Sequence, residues 1–185
     1  MRVRLLELMI QNNIESKQTA TCPMAGNVDV TVRDMYGNVK QHTSVHNAVT
    51  SDGLRIIANS IAYIGNSPYV TGIEVTYTIG DDPTVLSIIK ELTMREVIMD
   101  TNPDNPTSTI RFNYYLPSNL PSSTQTVTLR EAKLLFTDEL GVKNTVFATT
   151  NLVDSTTSGS IEKDQYDVVS IIWNVVFQNV IETSV

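Results

Sequence analysis

The strongest constraint in this sequence is a run of alternating residues near its C-terminal end. Every second residue is large and apolar, in the order Val169, Ile171, Trp173, Val175 and Phe177. The residues between them mix apolar and polar types: Val168, Ser170, Ile172, Asn174, Val176 and Gln178. Successive side chains of a strand point to opposite faces of its sheet. The pattern predicts a strand with one face on a core and the other partly covered.

The same period of two recurs upstream in shorter segments. Val28, Val30 and Val32 alternate with polar residues, residues 34–38 have turn chemistry, and residues 39–45 return as the hairpin partner. Residues 73–79, 110–116, 127–136 and 146–150 also read as strands, the third either as one bent strand or as a pair. Residues 86–99 fit either a helical turn leading into a strand or one long strand. Clusters of Pro, Asn, Asp, Ser and Gly predict loops at 100–106, 117–124 and 154–163 and a turn at 138–141.

One segment has helical spacing instead. Apolar residues recur three and four apart at Leu54, Ile57, Ala58, Ile61 and Ile64. Ser51 supplies a capping hydroxyl before them, and Gly65 follows the last one. A helix this short is marginal in water alone, so its apolar stripe is predicted to lie on a sheet.

These elements predict a mainly β fold, an antiparallel β-sandwich-like domain with one amphipathic helix. The chain of 185 residues is long enough to bury one core, and no composition shift marks a second domain. We place the domain at residues 27–185. Residues 1–26 lack sustained periodicity and are predicted to form an N-terminal arm or extension.

Charge and composition disfavour several functions. Thirteen Lys and Arg against 20 Asp and Glu give a net charge of -7, the wrong sign for binding DNA, RNA or an anionic membrane surface. No run approaches the ~20 apolar residues of a membrane helix, and the N-terminus lacks a signal-peptide cleavage site. The single cysteine, Cys22, rules out an internal disulfide and is predicted to be an inert small hydrophobe.

Two groups of residues are candidate metal sites. His42 and His46 would share a face of a helix, but in a strand they stand roughly 13 Å apart and have no Cys or acidic partner beside them. Asp100, Asn102 and Asp104 have the spacing of a calcium loop. Its sixth position, however, is Asn105 where glycine is needed, and its twelfth is Arg111 where glutamate is needed. We predict no metal and no other cofactor.

Catalytic motifs are also missing from the sequence. Asp81 and Asp82 lie between Gly80 and Pro83, where they fit turn formation better than acid–base chemistry. No nucleophile elbow or phosphate loop is present, so we predict that the chain is not an enzyme. Aromatic residues could form a sugar-binding platform; Trp173 is predicted to be in the core, which leaves Tyr63, Tyr69, Tyr114 and Tyr115 as candidates.

The order of short motifs from Val28 to Val180 resembles a family of small bacteriophage virion proteins, the tail-fibre-like or minor structural proteins. The matching segments are VDVTVRDMYGN at 28–38, HNAVTSDGL at 46–54, IGDDPT at 79–84, TLREAKLLF at 128–136, NTVFAT at 144–149 and IEKD at 161–164. Residues 1–26 have no counterpart, and the stretch before the acidic-Pro segment is longer than in the family.

The resemblance implies a non-enzymatic virion structural protein that is made in the host cytoplasm and assembles on the capsid or the tail, as a decoration, neck or fibre-attachment subunit. Its expected partners are other virion proteins and copies of itself, as a homo-oligomer. The alternative is a receptor- or glycan-binding module of a tail fibre, with a host-surface glycan as ligand. The apolar segment Val3 to Ile10 leads to the hypothesis that the arm adds a strand to an exposed edge of a neighbour.

Overall fold

Eleven strands and one helix are present in the computed structural model, which describes residues 24–61, 69–100, 107–137, 142–152 and 160–178. In chain order they are β1 (Met24–Arg33), β2 (Val39–His46), β3 (Ala48–Val49), α1 (Ser51–Ile61), β4 (Tyr69–Ile79), β5 (Asp82–Glu91), β6 (Met94–Asp100), β7 (Thr107–Leu116), β8 (Val127–Thr137), β9 (Lys143–Asn151), β10 (Ile161–Lys163) and β11 (Val168–Gln178).

The strands form two antiparallel sheets. The first has the order β2-β1-β11-β7-β6, and the second has the order β3-β9-β8-β4-β5, with β10 pairing to the start of β8. Buried apolar side chains from both sheets form one core between them. The predicted mainly β, sandwich-like fold with one amphipathic helix is therefore confirmed.

β11, the strand with the clearest alternation in the sequence, lies in the middle of the first sheet. Its apolar face is fully buried at Val169, Ile171, Trp173 and Val175. Trp173 stands between Val28 of β1 and Phe112 of β7 in the sheet register. Burying each Val or Ile side chain of this face contributes about 1.5–3 kcal/mol, so β11 supplies much of the core.

The first hairpin also matches the prediction, with one difference in length. Gly37 has a φ of 87°, which only glycine adopts freely, and the Asp34 carboxylate accepts hydrogen bonds from the backbone N–H groups of Tyr36 and Asn38, both at 2.9 Å. The strand itself begins at Met24, three residues before the predicted start at Asn27, because residues 24–26 already pair with β11.

The helix begins where it was predicted, but its cap differs, and its buried face agrees only in part: Ile57 packs against the core as predicted. The predicted end at Ile64 and Gly65 lies outside the described residues. The Thr50 hydroxyl, not that of Ser51, accepts the Gly53 N–H at 3.0 Å and donates to the Val146 carbonyl at 2.6 Å. The helix packs on β9 through Gly53 and Ile56, whereas Leu54, predicted to be on the apolar stripe, is 48% exposed. A Cβ on Gly53 would clash with the Phe147 carbonyl, so glycine sets this close approach.

Three further predictions are corrected or resolved. The ambiguous segment 86–99 is neither a helical turn nor one strand, because it belongs to β5 and β6, in different sheets. The segment 127–136 is one irregular strand, β8, with register shifts against both neighbours. The predicted loop 154–163 ends in the short strand β10, whose Ile161 and Lys163 are buried.

Candidate functional site

Two surfaces stand out in the described part of the chain. The first is the side of the sandwich where β5 ends the second sheet and β6 ends the first. Leu92 and Thr93 join the two strands: the Leu92 N–H donates to the Thr71 carbonyl and the Thr93 N–H to the Asn113 carbonyl, both at 2.8 Å. One crossing residue is thus bonded to each sheet. We refer to β5 and β6 together as the open edge.

Apolar side chains are concentrated on the open edge. Each of the following is at least 36% exposed: Val85, Leu86, Ile89, Met94, Val97, Ile98 and Met99. Between Asp82 and Lys90, β5 carries no charged residue, and its one proline, Pro83, is at its N-terminal end, which leaves the middle of the strand without either protection. Native sheets usually protect such an edge with charge, proline or a covering segment, because an unprotected edge pairs with other strands. The open edge therefore has the composition of an interaction surface.

The backbone of β5 presents free hydrogen-bonding groups to this surface. The Leu92 N–H bonds to Thr71, and bonding alternates along an antiparallel pair. In the register of β4 and β5, Leu86, Ile88 and Lys90 therefore direct their backbone groups to β4. Ser87 and Ile89 direct theirs outward, and within the described ranges no strand pairs with that side of β5.

Arg95 closes part of the gap between the sheets at the open edge. Its guanidinium lies 5.5 Å from the ring centroid of Tyr69, and its Nη1 donates to the Val70 carbonyl at 3.3 Å. This cation–π contact joins β6 of one sheet to β4 of the other. Tyr69, one of the candidate sugar-binding aromatics, is thus engaged in a contact between the sheets.

The second surface is a groove at the end of the sandwich where three turns meet. Its volume is about 580 Å³, and its lining is mostly hydroxyl and amide side chains: Ser118, Asn119, Ser122, Ser123, Thr124, Gln125, Gln165 and Tyr166, with Ile79. A smaller groove of about 390 Å³ shares Ser118 and Tyr166 and reaches Arg33, Met35 and Tyr115. We refer to the two together as the loop-end groove.

A buried lysine supports this groove from beneath. The Lys163 ammonium, 1% exposed, donates to the carbonyls of Ser118 at 2.9 Å and Asp164 at 3.1 Å. Burial lowers the pKa of Lys163, partly offset by the nearby carboxylates of Asp167 and Asp164. The contact ties β10 to the loop after β7, and so fixes one wall of the groove.

An ion-pair network of partly exposed Lys40 and Asp164 with buried Asp167 holds the neighbouring turn. Lys40 Nζ lies 2.8 Å from Asp164 Oδ2 and 2.6 Å from Asp167 Oδ2. Thr126 Oγ1 donates to the second oxygen of Asp164 at 2.8 Å. The Lys40 and Thr126 hydrogen bonds lower the pKa of Asp164.

The aromatic candidates do not form one cluster. Tyr115 is exposed and lines the loop-end groove, together with Tyr166, which was not among the aromatic residues predicted to bind sugar. Tyr114 points into the core, where burial raises its pKa to about 12. Trp173 is in the core as predicted, and Tyr63 lies outside the described residues.

The candidate metal and acid–base residues are dispersed. His42 and His46 are on exposed positions of β2, and His42 Nδ1 hydrogen-bonds the Thr31 hydroxyl at 3.0 Å. Asp82 accepts the Thr84 N–H at 2.8 Å, as a turn former does, and this bond lowers the pKa of Asp82. Asn102, Asp104, Asn105 and Cys22 lie outside the described residues. Within those ranges no three His, Cys, Asp or Glu side chains gather as a metal site requires.

The described residues include no helix with the length and hydrophobicity needed to cross a bilayer. No protein-family model matches the chain, and comparisons with curated proteins and with solved structures found no significant similarity. What the geometry defines is a class of domain: an antiparallel β-sandwich with an apolar open edge at one side and a polar groove at one end.

Proposed function

We propose that this chain is a non-enzymatic structural subunit of a bacteriophage virion, which assembles on the capsid or the tail through strand contacts with neighbouring subunits. The open edge is the observation that carries this proposal. A sheet edge with seven exposed apolar side chains and no charge over the middle of β5 is a liability in a free monomer. In a repeated particle subunit, a neighbour covers such an edge.

The order of sequence motifs from Val28 to Val180 supports the same proposal. So does the acidic net charge of -7, which disfavours a role bound directly to the packaged nucleic acid. The expected partners are other virion proteins and copies of the chain itself.

The test is to locate the chain in particles of the phage that encodes it. Antibody raised against the purified chain should label density-purified virions, with gold particles on the capsid or on the tail. Recovery of the chain only in the particle-free fraction of the lysate would contradict the proposal.

The arm hypothesis needs a revised deletion. Residues 24–26 pair with Phe177, Val176 and Val175 of β11, so removing residues 1–26 would also strip part of β1. Removing residues 1–23 tests the arm alone. If the arm adds a strand to a neighbour, the native mass from light scattering should fall when residues 1–23 are removed. An unchanged native mass would contradict the arm hypothesis.

The loop-end groove favours one second candidate, a glycan-binding module of a tail fibre. Hydroxyl and amide side chains can bond to sugar hydroxyls, and an exposed tyrosine can stack on a sugar ring; Tyr166 is 62% exposed beside this lining. A glycan array with the purified chain should then give signals that Tyr166→Ala removes and Tyr69→Ala, at the opposite end of the sandwich, retains. No signal above background would remove this candidate.

A further inference from the structure

We propose that β5 pairs antiparallel with β5 of a second copy, about a two-fold axis at Ser87, to join the two second sheets into one continuous sheet. This inference rests on the proposed function and deepens it, because it names one contact and its partner. It starts from the free outward backbone groups of Ser87 and Ile89. A strand that meets them must offer the same alternation of donors and acceptors, which β5 of a second copy does.

The side chains fit this register on both faces of the sheet. Val85 would stand opposite Ile89 of the second copy on the outer face, and Leu86 opposite Ile88 on the core-facing side. In the single chain Val85 and Ile89 are 60% and 48% exposed. Cross-strand pairs of branched apolar residues stabilise a sheet, and the two-fold axis repeats every pair.

The charges at the ends of β5 favour the antiparallel direction. Lys90 would stand opposite Thr84 of the second copy, diagonal to Asp82, within reach of a long side chain. Parallel pairing would instead set Asp82 near Asp82 and Lys90 near Lys90. Glu91 already takes part in an interaction within its own chain.

The other edge strands are less suited to this contact. β3 has two residues, and β2 carries Lys40, His42 and His46 on exposed positions. On β6, Arg95 is committed to Tyr69 and Val70, and Glu96 is paired with Arg111 at 3.0 Å. Of the edge strands described, β5 has the longest uncharged stretch.

Cysteine cross-linking tests the axis directly. In a Cys22→Ser background, Ser87→Cys would place two thiols across the two-fold axis in adjacent strands. The matched control is Ser44→Cys, the same substitution at an exposed position of β2, an edge strand of the other sheet. With the protein at micromolar concentration and oxidised glutathione present, the Ser87→Cys variant should form a disulfide-linked dimer at least ten times faster than the Ser44→Cys variant. Equal rates would overturn the proposal.

Native mass supplies the second measurement. Ile89→Lys should halve the mass found by light scattering while the variant keeps the far-ultraviolet circular dichroism spectrum of the parent chain. Whatever mass the arm adds through a separate contact, the dimer should persist without residues 1–23. A dimer that withstands Ile89→Lys, or one that disappears with residues 1–23, would assign the contact to another surface and overturn β5 pairing. Antibody labelling of virions is independent of all these outcomes, so the virion proposal can stand or fall separately.

Discussion

At the scale of single residues, Lys163 is the most unusual side chain of the described core. It is fully charged at neutral pH in the unfolded chain, yet only 1% of it is exposed after folding. Its two carbonyl acceptors and the nearby acidic residues offset part of the desolvation cost. Its ammonium holds the wall of the loop-end groove through these two hydrogen bonds, and the Ser118 and Asp164 carbonyls depend on it as a donor.

Replacing this lysine should reveal its contacts. Lys163→Met keeps the aliphatic volume but leaves the Ser118 and Asp164 carbonyls without their donor, so we expect a loss of about 1–3 kcal/mol in the free energy of unfolding. Urea denaturation followed by the fluorescence of Trp173, the only tryptophan, measures it. Arg55→Met at an exposed position of α1 is the control and should leave the urea midpoint nearly unchanged, because its exposed pair with Asp52 contributes little. A midpoint equally unchanged in Lys163→Met would show that the buried contacts contribute nothing net.

Acid should weaken the turn that Asp164 holds. The pKa of Asp164 is lowered in the folded protein by Lys40 and Thr126, so its ionised form is preferred over that in the unfolded chain. A depressed carboxyl pKa gives a contribution to stability that is present above the unfolded value and is lost as the pH falls through the folded one. The relevant window is therefore below about pH 4.

The measurement is the urea midpoint at pH 5 and at pH 3. Asp164→Asn removes the titrating group and should lower the loss of stability between these two pH values relative to the parent chain. The difference will be small because Asp164 is more than half exposed and water screens its ion pair. A larger acid loss in Asp164→Asn than in the parent would reverse the sign of this argument.

At the scale of elements, the N-terminal cap of α1 is where the structure differs from the sequence-based prediction: the capping hydroxyl belongs to Thr50 and not to Ser51. Thr50→Ala removes an acceptor for the Gly53 N–H and a donor to Val146, so we expect the free energy of unfolding to fall by about 1–2 kcal/mol. Ser51→Ala should have little effect, since the Ser51 hydroxyl is not the cap. Thermal unfolding of the two variants side by side measures the difference in stability. A larger loss of stability in Ser51→Ala than in Thr50→Ala would mean that Ser51 is the cap, as predicted from the sequence.

Elements with strong local periodicity could be predicted from the sequence, and those whose place depends on sheet order could not. Alternation identified β1 and β11 because one face of each meets the core. Alternation did not identify β5, because an edge strand that projects from the core has no consistently buried face. Alternation also did not identify β10, because three residues cannot show a period. In addition, lysine is rarely buried, so Lys163 gave no sign of a core position.

The candidate sites were harder still to predict. The loop-end groove brings Ile79, Ser122 and Tyr166 together from three separate segments, and no spacing in the sequence records that proximity. The outward backbone groups of Ser87 and Ile89 depend on which side of β5 meets β4. A clue was present in the uncharged run from Pro83 to Ile89, which lacks the polar face of an ordinary surface strand.

At the scale of the whole molecule, the first sheet depends on β1 being complete. The strand from Met24 to Arg33 pairs along its full length with β11, in a register that places Val28 opposite Trp173. A chain that begins at Met24 should unfold at the same temperature as the full chain. One that begins at Asn27 should unfold at a lower temperature, because three residues of the ladder are gone.

Differential scanning calorimetry compares these two truncations with the full chain. A clear fall in the midpoint already for the chain that begins at Met24 would mean that residues 1–23 contribute to the stability of the folded domain.

The central position of β11 has a consequence for synthesis on the ribosome. β11 follows every other described strand in the chain, yet it joins the β1–β2 hairpin to the β6–β7 pair. Until it leaves the exit tunnel, those two halves of the first sheet have no strand between them, and the inner faces of both remain uncovered. The first sheet therefore cannot be completed before β11 has been synthesised, and a ribosome that stalls before β11 would release a polypeptide prone to aggregation.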